Sequence, residues 1–102
     1  MRNKFGAVRT TVDGVTFHSK REASYYLDLK RLLQARKITK LELQPCYPII
    51  INGVKVCKVL FDFRYIQNGT EVIIDVKGHD TNLSKLKRKL AEAMYGIKVI
   101  LI

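Results

Sequence analysis

Two aspartates and a lysine are spaced in this chain so that a single β-hairpin would bring them together. Asn68-Gly69 is the strongest short-range signal for a two-residue type I′ turn, and apolar, β-prone runs flank it. Counting back along both strands from that turn places Asp62 directly opposite Asp75. Directly opposed side chains have Cβ atoms about 4.5–5.5 Å apart. Lys77, two residues beyond Asp75, projects from the same face of its strand.

Two like charges at that separation destabilise a sheet, so a positive group must offset them. Carboxylates are hard oxygen ligands that suit Mg²⁺ or Mn²⁺ rather than zinc. A divalent ion held by Asp62 and Asp75, with Lys77 orienting a water toward phosphorus, is an arrangement for phosphodiester hydrolysis. The alternative is a salt-bridge network in which Lys77 alone neutralises both aspartates.

The opposite face of the predicted hairpin is apolar, and this fixes the register of the two strands. A slip of one residue would bury both aspartates among apolar side chains. The residues expected on that face are Phe61, Phe63, Tyr65, Val72, Ile74 and Val76.

A helix with a strong N-terminal signal precedes this hairpin and carries a third carboxylate. Ser19 is a good N-cap and Glu22 occupies position N3, which is a capping box, and the helix runs to about residue 35. At 100° per residue, Tyr26 and Leu29 fall on the same side of the helix as Glu22. Glu22 is therefore aimed toward whatever the helix packs on and can complete the site. Its alternative role is to cap the helix and nothing more.

The remaining elements predict one α/β domain. Asp13-Gly14 and Asn52-Gly53 are two more hairpin signals. The segments expected around them are strands at 7–12, 15–17, 48–51 and 54–60, the last continuing into 61–67, an extended piece at 41–45, a helix at 83–95 capped by Thr81 or Asn82, and a strand at 97–102. The run at 49–51 indicates a strand covered on both faces. We expect a single domain, 1–102, with a mixed central sheet and a helix on each face, in which residues 1–18 form an N-terminal arm and a small hairpin.

Charge indicates a polyanionic partner. The chain has 102 residues, with 19 Lys and Arg against 9 Asp and Glu, a net charge of +10 and a pI near 9.9. Nucleic acid is the first partner to consider and an anionic membrane the second, against the alternative of a merely solubilising surface. No apolar run reaches the roughly 18–20 residues of a membrane span, and no secretion signal is recognisable, so we expect a cytoplasmic protein. Cys46 and Cys57 are expected to be reduced core residues.

Basic side chains near the predicted site could contact phosphates. The second helix is expected to bury a stripe of Leu86, Leu90 and Met94 and to expose its basic residues. Phosphate contacts of this kind position a protein without reading sequence. The candidates are Lys20, Arg21, Lys85, Arg88 and Lys89.

The combination of Asp62, the segment Asp75-Val76-Lys77 and a preceding helix with Glu22 resembles the PD-(D/E)XK nuclease signature, although Phe61 stands where the name has proline. More closely, nearly the whole chain is similar to a family of small phage proteins catalogued as a domain of unknown function and grouped with those nucleases. The segments that carry this resemblance are 12–14, 17–23, 41–45, 61–65, 75–78 and 87–89.

The resemblance implies a restriction-endonuclease-like core, in the order helix, three strands, helix, strand. It implies a Mg²⁺-dependent DNA endonuclease from a phage or related mobile element, acting in the bacterial host cytoplasm, with Mn²⁺ as a substitute. By carry-over, Asp62 and Asp75 are metal ligands, the Val76 carbonyl and Glu22 add to them, and Lys77 is the catalytic lysine.

Three functions remain open at this point. A monomer with one site would nick one strand of duplex DNA. A homodimer could instead act on branched DNA, as Holliday-junction resolvases do. The third possibility is a nucleic-acid-binding protein without catalysis. Gln44 and His79 lie in or near these motifs without an assigned role.

Overall fold

The computed structural model describes residues 9–77 and 79–102. Gly78 and residues 1–8 of the predicted N-terminal arm and hairpin therefore lie outside the described residues. The elements are β1 (Thr10–Val12), β2 (Val15–Phe17), α1 (Lys20–Gln34), β3 (Thr39–Leu43), β4 (Cys46–Ile51), β5 (Val54–Leu60), β6 (Phe63–Gln67), β7 (Thr70–Asp75), α2 (Asn82–Tyr95) and β8 (Val99–Leu101). None of the helices in this part of the chain has the length and apolar character needed to cross a bilayer.

A four-stranded mixed sheet organises the chain, in the order β3-β6-β7-β8. The pairs β3·β6 and β6·β7 are antiparallel, whereas β7 and β8 run parallel. Parallel neighbours need a crossover connection, and α2 provides it. Along the chain the sheet is therefore built as α1, three strands, α2 and a fourth strand, which confirms the predicted α/β class and mixed sheet.

Both faces of the sheet are covered, because consecutive residues of β7 enter different cores. Ile74 belongs to a cluster with Phe63 and with the α1 residues Tyr26 and Leu29. Ile73 belongs to a second cluster that contains Ala91 of α2. Since successive strand side chains point to opposite faces, α1 and α2 lie on opposite sides of β7.

The three predicted two-residue turns are present, with the backbone that type I′ requires at both positions. The φ angles are 53° and 75° at Asp13-Gly14, 51° and 76° at Asn52-Gly53, and 52° and 75° at Asn68-Gly69. Asparagine and glycine tolerate this left-handed region best, which is why these pairs close the hairpins.

The β4–β5 hairpin forms a separate two-stranded sheet, so the prediction that its second strand continues into 61–67 is wrong. The strand is interrupted between β5 and β6. The Phe61 N–H donates to the Pro45 carbonyl at 3.1 Å, which extends the β4–β5 pairing, whereas the Asp62 N–H donates to the Ile74 carbonyl of β7 at 3.1 Å. Phe61 consequently packs in the second cluster and not with Phe63. Ile50 and Ile51 are 45% and 51% exposed, so the expected burial of both faces of β4 is also wrong.

Two further burial predictions are wrong. In α2, Leu86 and Met94 are 55% and 44% exposed, while Ala91 is fully buried. Of the predicted stripe, only the half-buried Leu90 packs against the second cluster, so the sheet meets a face of α2 formed by Ala91 and Leu90. Cys46 is exposed and only Cys57 is partly buried, and both are free thiols.

Ser19→Ala is expected to destabilise the protein by about 1 kcal/mol, because a helix N-cap hydroxyl satisfies an otherwise unpaired N–H. The Ser19 side chain accepts the Glu22 N–H at 3.1 Å, which is the N-cap half of the predicted capping box. Thermal unfolding checks this, with a loss of about 4–8 °C in Tm. Ser24→Ala, at an exposed position of the same helix, is the matched control and should leave Tm nearly unchanged. Equal losses in both variants would contradict the capping role.

Candidate active site

Asp75 and Lys77 stand where β7 leaves the centre of the sheet. Asp75 is the last residue of β7 and only 5% exposed. Its carbonyl accepts the Ile102 N–H and the Lys77 N–H donates to the Ile102 carbonyl, both at 3.1 Å, which ties the segment to the end of β8. The Lys77 Nζ lies 2.9 Å from Asp75 Oδ2. The predicted placement of both groups on one face is therefore observed, with the lysine in contact with the acid.

Asp62 reaches the same place from the bend before β6. The β6–β7 ladder runs from Gln67↔Thr70 to Phe63↔Ile74, so Asp62 and Asp75 are not a ladder pair as expected. The Asp62 N–H instead donates to the Ile74 carbonyl at 3.1 Å. Its carboxylate still faces β7, because Oδ2 accepts the Val76 N–H at 2.7 Å.

The surroundings of Asp62 disfavour its charged form. Removal from water is the main cause that raises the pKa of Asp62 to about 8. The hydrogen bond from Val76 opposes this rise, while the charges of Asp75 and Glu22 add to it. The site therefore gathers its carboxylates in a poorly solvated place, with the Lys77 ammonium in contact with Asp75.

Glu22 is positioned by the first turn of α1 and is only 6% exposed. Burial raises its pKa, the neighbouring His18 acts to lower it, and the charge of Asp75 acts to raise it. A buried carboxylate whose pKa is influenced by the charge of Asp75 is consistent with the prediction that Glu22 is the third acid of the site. The capping contact to Ser19 uses the backbone N–H of Glu22, so the Glu22 carboxylate takes no part in it.

A cleft of about 430 Å³ collects these groups. All five residues predicted for catalysis and metal binding line it, together with others that the prediction did not assign. The lining residues are His18, Ser19, Arg21, Glu22, Gln44, Leu60, Phe61, Asp62, Asp75, Val76 and Lys77.

The oxygen donors of the cleft bear on which cation it could hold. Within residues 9–77 and 79–102, no three His, Cys, Asp or Glu side chains are grouped as a ready-made metal site. Mg²⁺ seldom uses such a cage; it is usually held by one or two carboxylates, with waters and substrate phosphates completing the shell. Asp62 and Asp75 fit that requirement, and the Val76 carbonyl and Glu22 remain predicted additions.

The predicted phosphate-contacting residues fall into three groups. Lys20, Lys85 and Lys89 are exposed. Arg21 lines the cleft, where Nη1 donates to the Lys77 carbonyl at 3.2 Å. Arg88 instead makes a two-pronged ion pair with Asp80, at 3.1 and 3.0 Å. Its guanidinium is thus engaged in holding the β7–α2 connection.

Sequence reasoning missed two lysines beside the site. Lys58 of β5 and Lys87 of α2 line a second cavity that also contains Asp75 and Lys77. Lys58 was not predicted because the sequence does not show the interruption between β5 and β6. In the fold, Lys58 of β5 lines the same cavity as Asp75 at the end of β7. For Lys87, the available signal was its helical spacing of three from Ser84, which puts both on one face.

The comparisons with known proteins identify the family but not an activity. The chain matches the family described as "Protein of unknown function (DUF1064)" over residues 2–100. Neither the curated proteins nor the solved structures contain a match. Since the family match spans nearly the entire sequence, the chain belongs to this family of proteins of unknown function.

Proposed function

We propose that this chain is a Mg²⁺-dependent DNA endonuclease of the PD-(D/E)XK type that nicks one strand of duplex DNA. One observation carries the proposal: the buried Asp75 and the Asp62 carboxylate converge in one cleft, with the Lys77 ammonium 2.9 Å from Asp75. The order of α1, three sheet strands, α2 and a fourth strand supports a restriction-endonuclease-like core.

Each group has a distinct task in this proposal. Asp62 and Asp75 would hold the cation, and the hydrogen bond from the Val76 N–H fixes the orientation of the Asp62 carboxylate. Magnesium, when bound, activates water and stabilises negative charge on the phosphate and the leaving oxygen. Lys77 donates a hydrogen bond that orients the attacking water. Glu22 accepts from the same water network or joins the ligands.

DNA is the proposed substrate because the charge of the chain favours a polyanion. The net charge is +10, and neutralising backbone phosphates releases counterions, which drives nucleic-acid binding. Arg21 at the rim of the cleft adds a cation next to the carboxylates.

A DNA-binding protein without catalysis is the second candidate. The observation that favours it is the Lys77–Asp75 ion pair, since a lysine that merely neutralises the acid would look the same. A homodimer acting on branched DNA is a variant of the main proposal, in which two such clefts cut two strands.

Incubation with supercoiled plasmid, with Mg²⁺ or with a chelator, tests the proposal. We expect nicked circles that appear only with Mg²⁺ or Mn²⁺. Cleavage confined to cruciform or four-way DNA would favour the dimeric resolvase. Gel retardation without cleavage in any divalent metal would overturn the nuclease proposal and support the non-catalytic protein.

A further inference from the structure

A second cavity, of about 300 Å³, adjoins the proposed active site. It lies between β5 and the start of α2, and it shares Leu60, Phe61, Asp75 and Lys77 with the first cleft. The residues that belong to this second cavity alone are Lys58, Val59, Ser84 and Lys87.

The second cavity carries an excess of positive charge. Three lysines line it, at positions 58, 77 and 87, against the single carboxylate of Asp75. That carboxylate is already in contact with the Lys77 Nζ, at 2.9 Å. Among residues 9–77 and 79–102, Lys58 and Lys87 form no ion pair with any acidic side chain. Two lysines without an ion pair in the described part of the chain therefore line this concave space, where the single carboxylate is already paired with Lys77.

Polar donors converge there as well as charge. The Ser84 hydroxyl lies 3.5 Å from the Lys77 Nζ, which links the second cavity to the proposed catalytic lysine. Ser84 itself sits in the first turn of α2, whose N-terminus favours anions. Three cationic side chains, a hydroxyl and a helix start form a set suited to phosphate.

We propose that this cavity binds the backbone phosphate that neighbours the scissile phosphate on the same DNA strand. The inference rests on the proposed nuclease function, because it takes Asp75 and Lys77 as the place of the scissile phosphate. Every nucleotide of a strand carries a phosphate, and this cavity shares Asp75 and Lys77 with the first cleft, so it is placed to meet the phosphate next to the scissile one. Lys58 and Lys87 hold that phosphate and thereby position the strand in the cleft.

Lys58→Gln and Lys87→Gln test the inference through DNA binding without divalent metal. Each is expected to weaken binding and to reduce the slope of log K against log salt by about 0.9, the value for one phosphate contact. The matched control is Lys37→Gln. Lys37 is exposed and lies beyond the C-terminal end of α1, about 20 Å of helix away from Glu22. Lys87→Arg, which keeps the charge, should retain the wild-type slope.

Neutral methylphosphonate groups, placed one at a time in a duplex, locate the contact. At one internal position the substitution should weaken binding of the wild type but cause no further loss in Lys87→Gln. Salt slopes of Lys58→Gln and Lys87→Gln equal to that of Lys37→Gln would overturn the inference. So would losses of affinity from the methylphosphonate and from Lys87→Gln that simply add at every position, or that are coupled only at a terminal phosphate. Because binding is measured without metal, a protein that shows the coupling but never nicks plasmid overturns the nuclease proposal and keeps only the phosphate contact of this cavity.

Discussion

Asp75→Asn is expected to reduce DNA nicking by about 10²–10³-fold, the scale of losing a group that stabilises transition-state charge. The carboxylate is buried, lies in the cleft and contacts Lys77. Asparagine keeps its shape but removes the charge that a cation needs. DNA affinity should be largely retained, because it depends on the basic side chains and not on this acid.

The matched control for this variant is Glu71→Gln. Glu71 is an exposed carboxylate on the same strand, paired with Arg64 and outside the cleft. Plasmid nicking and gel retardation are measured on both variants, with thermal unfolding to verify the fold. Nicking by Asp75→Asn at the rate of Glu71→Gln would show that the site is misplaced.

Asp62→Asn should make the metal-free protein more stable at pH 8. Burial raises the pKa of Asp62 to about 8, from a model-compound value of 3.8. The folded state thus holds a proton that the unfolded state releases, so wild-type stability falls as pH rises from about 4 to about 8. Asparagine removes this cost while its oxygen can still accept the Val76 N–H, and a gain of about 1–3 kcal/mol is expected after solvent screening.

Thermal unfolding from pH 5 to pH 8 checks this prediction. The wild-type Tm should fall over that range more steeply than the Tm of Asp62→Asn. Asp80→Asn is the control of opposite sign, because the hydrogen bond from Arg88 holds the pKa of Asp80 below its usual range. That variant should lose stability at neutral pH. A lower Tm for Asp62→Asn at pH 8 would contradict the described electrostatics.

Local patterns in the sequence were sufficient to predict the turns, the helix start and the pairing of β6 with β7. Asn68-Gly69 admits few alternatives to a type I′ turn, and the apolar side chains beside it set the register down to Phe63↔Ile74. The Ser19 capping box involves only neighbouring residues. For the same reason, the approach of Asp75 and Lys77 followed from strand alternation.

Non-local pairing could not be predicted in this way. At the break, the Phe61 N–H donates to Pro45, across the base of the β4–β5 hairpin, whereas the Asp62 N–H donates to Ile74 of β7. Nothing in the local pattern distinguishes that bend from a continuous strand. The face of α2 that meets the sheet contains Ala91, a small residue that permits close packing and is fully buried, while the larger Leu86 stays exposed.

The electrostatic environment of individual cations was equally hidden. Arg88 and Lys87 are adjacent in sequence and look equivalent there. In the fold, Arg88 is neutralised by Asp80, while Lys87 faces the second cavity. Which of the two can meet a phosphate depends on where an acid from a preceding loop falls.

Anomalous diffraction from crystals soaked in Mn²⁺ tests the central claim most directly, because it locates a bound cation independently of catalysis. The account predicts a peak within coordination distance of both the Asp62 and Asp75 carboxylates, and the loss of that peak in Asp75→Asn. The account would be contradicted if wild-type crystals with DNA and saturating Mn²⁺ showed no anomalous peak at these two carboxylates, or showed the peak only at another place in the protein.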